Sequence, residues 1–148
     1  SLVSLGHYSE GRKAFEDILL SYPGTLFSDP IFWGILKSYL GMDEVEGAVH
    51  LYQRFLSYFL PSPWIEQCLF DIGQYYFDKK EFRSAVTTFR QFLMTYPGSE
   101  LQEWVHFMVG EGLFNQKDYP KAIEAYRQVL EMKRKADPAM ILNPDVIF

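Results

Sequence analysis

The stretch Phe82-Arg83-Ser84-Ala85-Val86-Thr87-Thr88-Phe89-Arg90-Gln91-Phe92-Leu93 carries apolar side chains at 82, 85, 86, 89, 92 and 93. That spacing places them on one face of an α-helix. The same pattern recurs without gaps at Tyr8–Pro23, Val45–Leu60 and Tyr119–Arg134, each copy 37 residues from the next. One column is small throughout: Gly11, Ala48, Ala85, Ala122. A second is aromatic: Phe15, Tyr52, Phe89, Tyr126. A third is leucine: Leu19, Leu56, Leu93, Leu130. Between the last two runs Ile18, Phe55, Phe92, Val129. A fixed period that holds several chemical columns at once is the mark of a repeat protein.

Upstream of each of the last three copies a second helix aligns at the same period. Its columns are Phe32, Leu69, His106; Ile35, Ile72, Val109; Leu36, Gly73, Gly110; and Tyr39, Tyr76, Leu113. Each unit is therefore a helix pair, a first helix followed by a second. Helix-boundary chemistry agrees. Asp29-Pro30 and Ser62-Pro63 place an N-cap before a proline at the first helical position. Ser99 with Gln102, Asp43 with Glu46 and Asp78 with Glu81 have capping-box spacing. Tyr22-Pro23-Gly24 and Tyr96-Pro97-Gly98 read as helix stops. The basic run Lys133, Arg134, Lys135 suits a helix C-terminus. The map is seven helices, over 5–22, 29–41, 43–60, 63–78, 80–96, 99–115 and 118–136. Residues 1–136 then hold a half repeat and three full repeats. Residues 137–148 form an apolar tail, or the start of a truncated further repeat.

A pair cannot bury its own apolar face, so such units stack. Small residues let helices approach: Gly73 and Gly110 are expected against Ala85 and Ala122, with Phe89 and Tyr126 filling the wedge between one pair and the next.

These columns resemble the tetratricopeptide repeat. The best-matched run is Leu69-x-x-Ile72-Gly73-x-x-Tyr76, then Phe82-x-x-Ala85-x-x-x-Phe89-x-x-Phe92-Leu93-x-x-x-Pro97. Gly110, Tyr119, Ala122, Tyr126 and Leu130 continue it. The resemblance covers about residues 1–135 and implies an all-α fold, a right-handed α-α superhelix of about seven helices in antiparallel pairs. The step of 37 exceeds the family's usual length. With Phe92-Leu93-x-x-Tyr96-Pro97-Gly98-Ser99 it is similar to bacterial envelope members, the Tol–Pal-associated periplasmic coordinators and the outer-membrane assembly lipoproteins. This implies a periplasmic or envelope location, with the cytoplasm as the alternative. Leu36 and His106 depart from the family pattern.

The first helices carry further apolar rows beside the core columns: Trp33, Phe70, Phe107, and seven residues later Leu40, Phe77, Phe114. Lys37, Gln74, Glu111 run between them, and Trp104 opens the last first helix. In the resembled family this side lines a concave groove. The resemblance thus implies a module that binds a protein or peptide partner on Trp33, Lys37, Leu40, Phe70, Gln74, Phe77, Trp104, Phe107, Glu111 and Phe114, in the assembly of a multiprotein complex. The blander alternative is that these rows are the broad apolar stripes of helices touching two neighbours. A basic clamp for a terminal carboxylate is not expected, because Lys37 alone is basic in these rows. A second function is self-association, stacking with other copies or with further repeats through open ends or the tail.

The remaining chemistry points away from catalysis. A net charge of −5 without a basic stripe disfavours nucleic acid and anionic lipid. Hydrophobic content of 48% argues against disorder. No apolar run reaches the length of a membrane span. His7, His50 and His106 share no metal-ligand spacing, so no metal and no cofactor is expected. The single cysteine, Cys68, reads as a packed thiol, and Gly110-x-Gly112 follows no strand as a phosphate loop would.

Overall fold

The computed structural model describes residues 28–56 and 62–137, together with Lys13 and Asp17. Among these residues the secondary structure is helical. The helices are α1 (Ser28–Gly41), α2 (Val45–Phe55), α3 (Pro63–Asp78), α4 (Phe82–Thr95), α5 (Gln102–Asn115) and α6 (Tyr119–Ala136). The helix expected over 5–22 and the tail from Pro138 lie outside the described residues. The helices pack in sequential antiparallel pairs, the arrangement of a tetratricopeptide-like solenoid. The chain divides into two compact units, Ser1–Cys68 and Leu69–Phe148, with α3 crossing the boundary.

The repeat is most plainly visible in the turns. Asp43, Lys80 and Lys117 have φ of 59°, 63° and 64°, and they lie 37 residues apart. Around each, the chain closes the preceding helix with the same two hydrogen bonds. Glu44, Glu81 and Asp118 donate N–H to the carbonyls of Tyr39, Tyr76 and Leu113, at 2.8, 2.9 and 2.9 Å. Asp43, Lys80 and Lys117 donate to Leu40, Phe77 and Phe114. This is the Schellman closure, in which one left-handed residue satisfies two orphan carbonyls. It sharply reverses the chain inside every pair. It also displaces the expected capping boxes at Asp43 and Asp78. The N-caps of α2 and α4 are Glu44 and Glu81, and neither forms a side-chain cap bond.

The Ser99–Gln102 box is likewise replaced. Ser99 Oγ accepts from Leu101 N at 3.0 Å. Gln102 instead reaches back to the end of α4, donating to the Tyr96 carbonyl at 2.6 Å. The side chain thus satisfies the preceding helix's C-terminus. Ser62 caps as expected, accepting from Ile65 N at 3.3 Å. The basic run at 133–135 occupies the last turn of α6.

In the first unit, Phe32, Leu36 and Tyr39 of α1 are buried with Ala48, Leu51 and Tyr52 of α2. In the second, the core is built from Leu69, Ile72, Ala85, Phe89, Phe92, Val105, Val109, Leu113 and Ala122. The small column is buried in all three described copies, Ala48, Ala85 and Ala122.

The nearest neighbours of the first-helix glycines are the rings of the aromatic column. A Cβ on Gly73 would lie 2.7 Å from the Phe89 ring, and one on Gly110 would lie 2.6 Å from the Tyr126 ring. The glycines therefore seat the aromatic column within a pair. The inter-pair approach uses Gly112, where a Cβ would lie 2.5 Å from Val86 Cγ2. Val49, Val86 and Ile123 form a β-branched column at the repeat period. Val86 is 4% exposed against α5, whereas Ile123 on α6 is 51% exposed.

Candidate interaction surface

The predicted site residues fall on α1, α3 and α5, and their placements differ. On α1, Lys37 Nζ stands 4.2 Å from the centroid of the Trp33 ring. The Trp33 ring also meets Trp64 at 5.2 Å. Trp64 escaped the sequence reading, although Phe27, Trp64 and Leu101 are all apolar at the 37-residue step. Leu40 is half-buried.

On α3, Phe70 is buried, with its ring 5.6 Å from Phe89. Phe77 is half-buried and edge-on to Phe82 at 5.2 Å. Gln74 Nε2 donates to Asp78 at 2.9 Å. These two rings put much of their surface into the joint between α3 and α4.

On α5 the rings are more open. Trp104 is 51% and Phe114 53% exposed, and Phe107 is half-buried. Trp104, Phe107, Glu111 and Phe114 lie three or four residues apart along one stripe. Trp104 and Phe107 have centroids 5.5 Å apart, and Phe107 lies 6.1 Å from Tyr126 of α6. Tyr126 Oη donates a 2.6 Å hydrogen bond to Glu111 Oε1. Burial, then that bond and the Glu111 charge, push the phenol well above its ordinary pKa, so Tyr126 remains a donor. Phe114 meets Tyr119 edge-on at 5.6 Å. Glu103, beside Trp104, pairs with Lys133 at 2.7 Å. The Tyr126 contact was legible only as a core column, because the sequence does not say which ring edge carries its hydroxyl to α5.

A second feature is a cleft of about 350 Å3 between α4 and α6 with α5 as its floor. His106 sits there with Val109 and Leu113, facing Arg90 of α4 and Lys121 and Glu124 of α6. Its column mates Phe32 and Leu69 are buried, whereas His106 is half-buried. Burial lowers the imidazole pKa below its ordinary 6.5.

Rings on an exposed helix stripe, with one anchored carboxylate among them, can bind a polypeptide but provide no nucleophile or paired acid and base. Among the described residues no cluster of histidine, cysteine or acidic side chains could hold a metal ion. No helix among them is long and apolar enough to cross a membrane.

The family model described as YfiO, outer membrane lipoprotein, matches residues 32–141, well over half of the chain. The chain belongs to the YfiO family. The matched span includes all six described helices, except for the first turn of α1. Membership agrees with the resemblance to envelope tetratricopeptide proteins and implies a protein-interaction or scaffold role. No curated protein matches the chain.

Proposed function

We propose that this YfiO-family chain is an interaction scaffold at the bacterial envelope, and that the aromatic stripe of its first helices receives a segment of a protein partner. The observation that carries this is α5. Its rings at 104 and 114 remain half in water although the same helix buries Val105, Met108, Val109 and Leu113. Large exposed rings in a row mark interfaces, and aromatic anchors dominate interface energetics. Phe70, Gln74 and Phe77 belong to the same proposed surface of the second unit, and Trp33, Lys37 and Leu40 occupy the matching columns in the first. Phe70 and Phe77 act chiefly as support.

The test is co-purification from the parent cells with Trp104→Ala and Phe114→Ala combined. Loss of the bound partner, with helicity and melting unchanged, is expected. Undiminished co-purification contradicts the reading.

A second reading, assembly through an open end, is favoured by α6. Ile123 and Leu130 are 51% and 49% exposed, in columns whose α4 members Val86 and Leu93 are buried and half-buried. A further helix, another copy or the tail after Asp137 would cover them. Sedimentation that gives concentration-dependent mass, abolished by Ile123→Ser with Leu130→Ser, supports self-association; a constant monomer mass removes it.

A further inference from the structure

The three first-helix copies of the repeat differ at one pair of columns in a way that specifies a ligand charge. On α1 the pair is Trp33 and Lys37, and the ammonium lies over its own ring. On α3 it is Phe70 and Gln74, a buried ring and an amide turned to Asp78. On α5 it is Phe107 and Glu111. Here no cation among the described residues stands over the ring, and the position that supplies one on α1 holds a carboxylate.

That carboxylate is built in rather than free. Tyr126 Oη fixes Glu111 Oε1 at 2.6 Å, leaving Oε2 to other donors. The Tyr126 ring is itself set by Gly110, whose missing Cβ gives it room. Trp104, Phe107 and Tyr126 follow one another at centroid spacings of 5.5 and 6.1 Å beside it. Lys133 is engaged with Glu103 in the first turn of α5. Among the described residues no cation pairs with Glu111.

We propose that Trp104, Phe107, Tyr126 and Glu111 form an open aromatic cage for a cationic side chain, arginine or lysine, carried by the partner segment. This rests on the groove reading above and names the chemistry that the groove selects. A ring face attracts a cation through its quadrupole, and the attraction grows as water is excluded. A carboxylate beside the rings adds a charge-assisted hydrogen bond, and a guanidinium can stack and donate at once. The chain's net charge of −5 favours approach of a basic segment.

The probe is the peptide Ac-Leu-Arg-Leu-Arg-Leu-amide, with the citrulline version as a control of equal shape and no charge. The readout is the indole N–H signal of Trp104 in the NMR spectrum, assigned with Trp104→Phe. The arginine peptide should shift this signal saturably and bind at least about tenfold tighter than the citrulline peptide. Glu111→Gln should remove most of that difference, and Tyr126→Phe, which leaves the ring packing in place, should reduce it. Citrulline binding should be indifferent to both changes.

Equal affinity for the two peptides, or an arginine affinity unmoved by Glu111→Gln, overturns the proposal. If both peptides bind equally and both are lost with Phe107→Leu, the groove stands and the cage for a cation falls. A Trp104 signal that neither peptide shifts also overturns it, and the co-purification experiment then decides the groove separately.

Discussion

At the residue scale, two positions have sharp expectations. Phe89 is fully buried and its ring lies where a Cβ on Gly73 would stand. Gly73→Ala must push a ring that has nowhere to go. Overpacking of about 2–3 kcal/mol outweighs the about 1 kcal/mol gained in helix propensity. Urea denaturation should therefore show a net loss of about 1–2 kcal/mol. Gly110→Ala should cost less, because Tyr126 is only half-buried and can shift. His106 gives a pH signature. Its folded pKa is depressed, so the unfolded chain takes the proton first. Stability is complete above the ordinary value of 6.5 and declines as pH falls through it, levelling off below the folded pKa. Melting temperature measured from pH 8 to 5 should fall, and His106→Leu should flatten that part of the profile. The histidine was legible in the sequence as a departure from an apolar column. The cleft around it was not, since it depends on where α4 and α6 stand over α5.

At the element scale, the left-handed turns are the clearest target. Lysine at positive φ crowds its Cβ against the backbone, at roughly 1 kcal/mol. Lys80→Gly should accordingly stabilise the protein by about 0.5–1 kcal/mol, read as a higher melting temperature. These turns could not be found from composition, because the favoured residue there is glycine and this chain uses aspartate and lysine. Helix identity was legible because the apolar columns at i, i+3, i+4 and i+7 recur. The caps were only partly so. Ser62 caps as its type suggests, whereas Gln102 serves the helix before its own. The second helices also differ from one another at their outward contacts. Val86→Ala, at a closed joint, should cost about 2 kcal/mol. Ile123→Ser, at an open face, should change chemical stability by less than about 0.5 kcal/mol. Equal losses at both positions would mean that the α6 face is already covered in solution.

At the scale of the whole molecule, stability and recognition draw on the same repeat. Columns that keep small and aromatic residues in step build the joints. Columns one step round the first helices are free to vary, and they do: tryptophan with lysine on α1, phenylalanine with glutamine on α3, phenylalanine with glutamate on α5. The repeat was readable from the 37-residue step, and the family resemblance from the small, aromatic and leucine columns it keeps in register. Which aromatic rows are open was not, because one row holds both Phe77, half-buried edge-on to Phe82, and Phe114, half in water. The central claim is that the α5 stripe is where a partner sits. Site-specific photo-cross-linking in the parent cells tests it most directly, with the cross-linking residue placed at Trp104 or Phe114, or at Met94 on the solvent side of α4. One discrete cross-linked partner is expected from 104 and 114 and none from 94. Cross-links from 94 alone, or the same pattern from all three positions, would contradict it.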